Sequence, residues 1–351
     1  MAFFKKKKDD VKVDYCTLPF EKIVILPSGS VHLCCPVWLS KEIGNIFSGQ
    51  NFAQIWNSPA AQAIRISMIK HSYEFCNHNY CPYLISDIFK PMNNKDASPA
   101  SPAEIKKTIL KKGPQIMTID YDPTCNLRCK FCRVGPITLD SKRTELLLKF
   151  QDNLINSPLF QGLRELIIAG QGEVFASKIY LNIIQSINEK RFPHLRITLL
   201  TNGVLLTPEM WRKIANAHYA INQIKISIDA ATQETYDKLR VGGNFNTLLK
   251  NIKFLADLKK TKELKLIAAY VVQKENYREM PAFVKLMKNY DFDIVYFSKL
   301  VDYGTYTQEE FTQAAVHQED HSEYNAFGEI LQDPILKSPG VSLKFKIPDG
   351  K

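Results

Sequence analysis

Six apolar, β-rich runs alternate with amphipathic segments in the part of the chain that follows residue 112. The runs cover residues 115–122, 163–170, 195–203, 221–230, 265–273 and 293–300. The segments between them repeat apolar positions at helical spacing, over residues 141–155, 180–190, 208–218, 245–260 and 280–290. Near-continuous apolar strands separated by helices are typical of parallel β/α architecture. Six such units predict an α/β fold with an open, partial (β/α)6 barrel, because eight units are needed to close a full barrel.

A change of composition separates this region from the N-terminal part of the chain. The stretch KPMNNKDASPASPAEIKK is rich in Pro, Ala, Ser, Asn and Lys, a composition typical of a linker. We therefore predict five segments: a basic N-terminal tail, a small cysteine-rich α+β domain, a linker, the barrel domain and a C-terminal helical tail. Their predicted bounds are 1–14, 15–90, 91–112, 113–303 and 304–351.

The eight cysteines and the excess of basic over acidic residues restrict the function further. Five cysteines precede residue 82, three lie between residues 125 and 132, and none follows. The sequence has neither an apolar run of membrane-spanning length nor a secretory signal, so we expect a cytoplasmic protein whose cysteines serve metal or redox chemistry. The net charge of +10 favours acidic partners such as nucleic acid, a phosphorylated substrate or an acidic electron carrier, or serves solubility alone.

The most specific motif is DPTCNLRCKFCRVG at residues 122–135, which contains Cys125, Cys129 and Cys132. A closed zinc site takes four ligands and iron–sulfur clusters normally take four thiolates, so three thiols leave one position open. The Cys-x3-Cys-x2-Cys spacing, with Phe131 before the last cysteine, resembles the radical S-adenosylmethionine (radical SAM) superfamily. The resemblance implies a 4Fe–4S cluster whose free iron is chelated by S-adenosylmethionine beside Phe131. Zinc with a remote fourth ligand is the alternative.

Other segments resemble the same superfamily in the order of its strands. AGQGEVF at 169–175 resembles the Gly-Gly-Glu-Pro element, although Gln171 separates the two glycines and Val174 replaces proline. Residues 199–203, 226–245 and 270–276 match the segments of the third, fourth and fifth strands. A set of motifs in the expected order is stronger evidence than one isolated match.

The resemblance implies a role in cofactor binding for Gly170, Gly172, Glu173, Ser227, Asp229 and Arg240. Glu173 would accept a hydrogen bond from the amino group of S-adenosylmethionine. Ser227 and Asp229 would lie near its ribose or methionine moiety, and Arg240 would pair with its carboxylate. A solvated strand face and an ordinary ion pair are the alternatives for these last three residues.

The N-terminal domain resembles the cysteine-rich SPASM or twitch module, which holds an auxiliary 4Fe–4S cluster in many radical SAM enzymes. Residues 22–34 predict a hairpin that turns at residues 27–29, and residues 51–71 predict one amphipathic helix. The resemblance implies one fully ligated auxiliary cluster, held by Cys16, Cys34, Cys76 and Cys81. The module precedes the barrel here, whereas it usually follows it. A zinc site with the same ligands is the alternative.

The sequence offers further candidates outside these clusters in Cys35, His317 and His321. Cys35 has no assigned role: it is a packing residue, an alternative ligand, or the thiol that would return a hydrogen atom in an epimerase. His317 and His321 have i, i+4 spacing in the predicted helical tail, which suits a metal site and also suits ordinary surface residues.

The resemblance also implies the chemistry. A one-electron donor such as flavodoxin or ferredoxin reduces the cluster, S-adenosylmethionine is cleaved to a 5′-deoxyadenosyl radical, and the radical removes a hydrogen atom from a substrate carbon. We expect a ribosomal peptide as substrate, modified by net oxidation or cross-linking. The alternatives are dehydrogenation or epimerisation of a sugar, an aminosugar or another small molecule, then RNA modification. An electron carrier without enzymatic activity would not explain the adenosyl-site motifs. We expect neither membrane nor nucleic acid as a partner.

Overall fold

The computed structural model describes residues 15–86, 88, 101–133, 135, 137–168 and 170–344. The chain divides into two compact units. The N-terminal unit comprises residues 1–118 and 153–163, and the C-terminal unit comprises residues 119–152 and 164–351. The predicted basic tail, together with residues 89–100 of the predicted domain end and linker, lies outside the described residues.

The N-terminal unit contains a small antiparallel sheet of three strands: β1 (Lys22–Ile25), β2 (Ser30–His32) and β3 (Gly44–Asn45). The predicted hairpin between β1 and β2 is confirmed. Gly29 closes its turn with φ of 84°, and a β-carbon there would overlap the ring of Phe47, so this position needs glycine.

The helices of this unit are short. They are α1 (Leu18–Glu21), α2 (Phe52–Trp56), α3 (Pro59–Ile69), α4 (Pro82–Ile85), α5 (Pro102–Thr108), which lies within the stretch predicted as a linker, and α7 (Pro158–Gln161). The single helix predicted over residues 51–71 is therefore wrong. Ser58 caps a new helix by accepting a hydrogen bond from the backbone N–H of Ala61, and Pro59 starts that helix at its first position, where its missing N–H costs nothing.

A buried arginine connects three helices of this unit. The side chain of Arg65, on α3, is fully buried and donates hydrogen bonds to the carbonyl oxygens of Pro19 and Thr108, both at 2.9 Å. Its guanidinium also lies 4.3 Å from the ring centre of Trp56. These contacts hold α3 against α1 and α5 through backbone acceptors rather than through a carboxylate.

The C-terminal unit is built on parallel strands in chain order. β4 (Ile116–Ile119) enters the unit at its last residue, and the strands that follow are β5 (Glu165–Ile168), β6 (Arg196–Thr201), β7 (Ile221–Ser227), β8 (Lys265–Val272), β9 (Ile294–Lys299) and β10 (Val341–Leu343). Strands β5 to β10 pair in the order β5-β6-β7-β8-β9-β10, each pair parallel. The six predicted strands and the α/β class are confirmed, whereas β10 was not predicted.

Helices connect these strands: α6 (Ser141–Ile155), which ends in the N-terminal unit, α8 (Lys178–Ser186), α9 (Pro208–Lys213), α10 (Gln233–Leu239), α11 (Phe245–Lys259) and α12 (Met280–Asn289). The C-terminal segment adds α13 (Gln308–Ala314) and α14 (Tyr324–Leu331). Among the described residues, no helix has the length and apolar character needed to span a membrane.

Candidate functional site

The three-cysteine loop follows β4, at the carboxyl end of that strand. Cys129 is buried, and Cys125 and Cys132 are partly exposed. The backbone N–H of Cys132 donates to the carbonyl of Cys129 at 2.9 Å, and that of Cys125 donates to Ile137 at 3.1 Å. Burial raises the pKa of the Cys125 and Cys129 thiols. The loop therefore presents three thiols from one short, hydrogen-bonded segment.

Each of the three sulfurs has a nitrogen donor near it. The guanidinium of Arg133 donates to the Cys132 sulfur at 3.4 Å, and that of Arg240 donates to the Cys129 sulfur at 3.5 Å. The Cys125 sulfur accepts from the backbone N–H of Leu127 at 3.4 Å and lies 4.0 Å from the amide nitrogen of Asn202. Such donors favour the thiolate, which is the form that binds metals.

Arg133, which sequence reasoning missed, connects the cysteine loop to the glycine segment. Besides Cys132, its guanidinium donates to the carbonyl of Pro123 at 2.8 Å and to the carbonyl of Gln171. The residue directly follows the third cysteine, and that position is the only sequence signal for it. Gln171, the residue that separates the two glycines, thus supplies an acceptor to the loop.

Gly170 and Gly172 allow this segment to approach the start of the cysteine loop closely. A β-carbon on Gly170 would lie 2.7 Å from the Asp120 carboxylate, and one on Gly172 would overlap the carbonyl oxygen of Asp122. The backbone N–H of Gln171 then donates to the carboxylate of Asp120 at 2.7 Å. Packing within the chain therefore requires both glycines. Their predicted contact with a cofactor stays a prediction.

Glu173 is fully buried, and three donors surround its carboxylate. One oxygen accepts from the Thr201 hydroxyl at 2.6 Å and from the backbone N–H of Phe175 at 3.2 Å, and the other accepts from the backbone N–H of Asn202 at 2.6 Å. Burial raises the pKa of Glu173, and these hydrogen bonds lower it in part. A carboxylate has about four acceptor positions, so these three donors leave one unused. The predicted hydrogen bond from a cofactor amino group stays a prediction.

Asp229 and Arg240 form a buried ion pair at 2.5 Å. Asp229 adopts a left-handed backbone with φ of 64°, and its other oxygen accepts from the backbone N–H of Val271 at 2.7 Å. The guanidinium of Arg240 lies 5.3 Å from the ring centre of Phe131, and its Nε is buried without a partner among the described residues. Burial raises the pKa of Asp229, which the arginine opposes. The predicted contact between Arg240 and a cofactor carboxylate stays a prediction, since both terminal nitrogens already face Asp229 and Cys129.

The C-terminal tail packs on the cysteine loop. Ala314 and Ala315 of the tail form one apolar cluster with Leu300, directly after β9, and with Leu127, Cys129 and Phe131 of the loop. Partly buried side chains extend that cluster, and they include Tyr306, Phe311 and Val271 of β8. An ion pair of 3.2 Å between Lys130 and Glu310 adds a polar contact at its edge. The tail thus covers part of the loop.

His317 and His321 do not lie on one helix, contrary to the prediction, because α13 ends at Ala314. Nε2 of His321 contacts the carbonyl of Gln313 at 2.9 Å, and its Nδ1 accepts from the backbone N–H of Glu323 at 3.0 Å. Both ring nitrogens of His321 are therefore engaged by the backbone, which leaves neither for a metal.

In the N-terminal unit, the thiols of Cys16, Cys34 and Cys81 lie close enough to Cys76 to raise its pKa. Burial is the largest cause of this shift and, together with the three thiols, raises the pKa of Cys76 to about 12. Burial likewise raises the pKa of Cys16 to about 12 and that of Cys34 to about 11. The thiols of Cys35 and Cys81 also raise the pKa of Cys34, by a smaller amount than burial does.

The donor chemistry of both sites suits iron–sulfur clusters, because one site offers three thiols and the other offers four. Among the described residues, no three His, Cys, Asp or Glu side chains are arranged to hold a single metal ion.

Comparison with protein families identifies both parts of the chain. Residues 121–287 match the radical SAM superfamily, and residues 16–82 match the SPASM iron–sulfur cluster-binding domain. Residues 121–287 are thus a radical SAM domain, and residues 16–82 are a SPASM domain. This superfamily consists of enzymes whose domain uses a 4Fe–4S cluster and S-adenosylmethionine, and the SPASM domain adds an auxiliary iron–sulfur cluster. The predicted family, radical SAM fold and cofactors are confirmed, as is the SPASM module before the barrel, while the individual ligands stay predictions.

Individual relatives match part of this chain. The AdoMet-dependent heme synthase of Methanosarcina barkeri is 31% identical over 42% of the chain and 40% of its own length. Mycofactocin maturase MftC of Mycolicibacterium smegmatis is 25% identical over 50% of the chain and 42% of its own length. The chain thus spans less than half the length of these relatives. Streptococcus suis SuiB bound to S-adenosylmethionine is a structural neighbour, with 17% identity, coverage of 70% and 53%, and a TM-score of 0.46.

Proposed function

We propose that this protein is a radical SAM enzyme that oxidises or cross-links a peptide. The observation that carries the proposal is the loop of Cys125, Cys129 and Cys132, in which three thiols come from one segment and each sulfur has a nitrogen donor. When bound, the reduced cluster with S-adenosylmethionine supplies a 5′-deoxyadenosyl radical that removes a hydrogen atom from a substrate carbon.

The protein's own residues hold and orient these groups. Arg133 and Arg240 donate to cysteine sulfurs and favour the thiolate form. Glu173 has one acceptor position left for the amino group of the ligand and also fixes the backbone of Asn202. Asp229 fixes Arg240, while the tail residues packed on the loop exclude water from one side of it. Orientation and exclusion of side reactions are the protein's contribution to such chemistry.

The auxiliary site supports net oxidation. Four thiolates from Cys16, Cys34, Cys76 and Cys81 would ligate every iron of a cubane, which leaves no iron open for substrate. Such a cluster can accept the electron that a substrate radical must lose, whereas an epimerase needs a hydrogen-atom donor such as Cys35. The net charge of +10 favours an acidic electron donor, such as flavodoxin or ferredoxin.

A peptide substrate is supported by the similarity to mycofactocin maturase MftC, whose name describes a maturation reaction. A small-molecule substrate is the second candidate. It is favoured by similarity to probable GTP 3′,8-cyclases, such as that of Methanococcus maripaludis, which is 29% identical over 38% of the chain.

The test is anaerobic incubation of the reconstituted protein with dithionite and S-adenosylmethionine. We expect 5′-deoxyadenosine from the wild type and none from Cys129→Ala, with Cys35→Ala as the matched control that retains it. A Cys129→Ala variant that produces 5′-deoxyadenosine at the wild-type rate would refute the proposal. With substrate in deuterated water, loss of product in Cys35→Ala and one carbon-bound deuterium in the wild-type product would establish epimerisation instead of net oxidation.

A further inference from the structure

We propose that Lys225, Tyr296 and Lys344 form a binding site for an anionic group of the substrate, either a carboxylate or a phosphate. These three residues are called the lysine cluster below. The proposal rests on the proposed function, because it assigns part of the substrate to the parallel sheet of the radical SAM domain.

Lys225 lies on the face of β7 opposite α11. The strand alternates, and Ile224 and Ile226 are fully buried. The side chain of Ile226 faces α11, since it and Leu248 of α11 both lie within 3 Å of the position that a β-carbon on Gly203 would take. Successive side chains of a strand point to opposite faces, so Lys225 and Ser227 occupy the other one.

Two lysines and a tyrosine meet on this second face. Nζ of Lys225 lies 4.3 Å from the ring centre of Tyr296 on β9, and Nζ of Lys344, directly after β10, lies 5.9 Å from the same ring. The strand register supports the contact, because Lys225 pairs with Ile267 and Ile267 pairs with Ile294, two residues before Tyr296. Two cations therefore flank one aromatic ring.

The polar groups of the lysine cluster have unused hydrogen-bonding capacity. Within the described part of the chain, neither lysine forms an ion pair or a side-chain hydrogen bond, and the hydroxyl of Tyr296 has no partner. Burial lowers the pKa of Lys225 without an opposing carboxylate. Lys225 is partly buried and Lys344 is exposed, and a partly buried cation gains stability when a ligand supplies an anion. A cation–π contact of about 0.5–2 kcal/mol compensates only in part.

The position of the lysine cluster suits a substrate that must react near the cysteine loop. Ser298 follows Tyr296 on the same face and pairs in register with Val271, which packs against the cluster of Cys129 and Phe131. Two residues along a strand span about 7 Å. An anion held by the lysine cluster would thus leave the rest of the substrate directed toward the loop.

The test is calorimetric titration of the reconstituted full chain with inorganic phosphate and, separately, with acetate. We expect at least one of the two anions to bind, and its affinity to fall about tenfold or more in Lys225→Gln, because the variant loses a charge-assisted contact. Lys225→Arg should retain binding within about threefold. The matched control is Lys285→Gln, which removes the same charge from an exposed position on α12.

The two titrations identify the anionic group, since stronger binding of phosphate or of acetate assigns the site to that chemistry. Failure of both anions to bind the wild type would overturn the proposal, as would equal binding by Lys225→Gln. Because binding is measured without turnover, either failure leaves 5′-deoxyadenosine formation intact. A failure of the proposed function would instead abolish 5′-deoxyadenosine and leave anion binding unchanged.

Discussion

Replacing Arg240 should lower the free energy of unfolding, because it leaves the carboxylate of Asp229 buried without its cation. In Arg240→Gln, Asp229 would remain fully buried with one backbone donor, the N–H of Val271. A buried carboxylate without its cation takes up a proton instead of staying charged. Since the carboxyl group has an ordinary pKa of 3.8, protonation costs about 4 kcal/mol at pH 7 and about 1.5 kcal/mol at pH 5. The pH 7 value agrees with the roughly 3–5 kcal/mol seen when one partner of a buried pair is removed.

The assay is urea unfolding of the iron-free chain, followed by far-ultraviolet circular dichroism at both pH values. The pKa of Asp229 in the folded variant lies above its value in the unfolded chain, so the folded state binds more protons. The free energy of unfolding of the variant should therefore fall as the pH rises. The control is Asp229→Asn/Arg240→Gln, which has no charge at the site and keeps a residue that tolerates the left-handed backbone. Its free energy of unfolding, relative to wild type, should not fall between pH 5 and pH 7. A single variant within about 1 kcal/mol of wild type at both pH values would refute the reasoning.

Two further residues give predictions of the same kind. Glu173→Gln should weaken S-adenosylmethionine binding about tenfold to a hundredfold in equilibrium dialysis without changing iron content, since a charge-assisted hydrogen bond contributes about 1.5–3 kcal/mol; unaltered binding would mean that the carboxylate has only a structural role. Burial raises the pKa of Asp120 from 3.8 to about 7, so its folded state binds more protons than its unfolded state, and wild-type stability should fall between about pH 4 and pH 7 relative to Asp120→Asn. Equal pH slopes in urea unfolding of the two proteins would contradict that assignment.

The elements that local pattern determines were predictable. The strands β4 to β9 lie within the six predicted apolar, β-rich runs, and α6 forms over the predicted residues 141–155. By contrast, β10 has three residues and exists through its pairing with β9. The break at Ser58 and Pro59 shows that capping and proline chemistry override a helical period that looks continuous.

The candidate site was likewise predictable only where its residues are close in sequence. Its three cysteines share one short segment, so their spacing alone indicates the chemistry. The donors to their sulfurs come from other parts of the chain: Arg240 lies 111 residues from Cys129 in sequence, and Asn202 lies 77 residues from Cys125. No spacing rule gives such contacts, because the parallel strands bring these loops together. Lys225 was missed for a related reason. A lysine within a strand indicates a binding site only when the residues facing it are known, and when none of them is a carboxylate.

The central claim is that the cysteine loop holds a cluster with one iron open to S-adenosylmethionine. Its most direct test is electron paramagnetic resonance of the reduced variant in which Cys16, Cys34, Cys76 and Cys81 are all alanine. We expect about four irons per chain in this variant, against about eight in the wild type, and a spectrum that changes when S-adenosylmethionine is added. Replacing Cys125, Cys129 and Cys132 instead should leave about four irons and a spectrum that does not respond. A four-iron signal in the first variant that S-adenosylmethionine leaves unchanged would contradict the account.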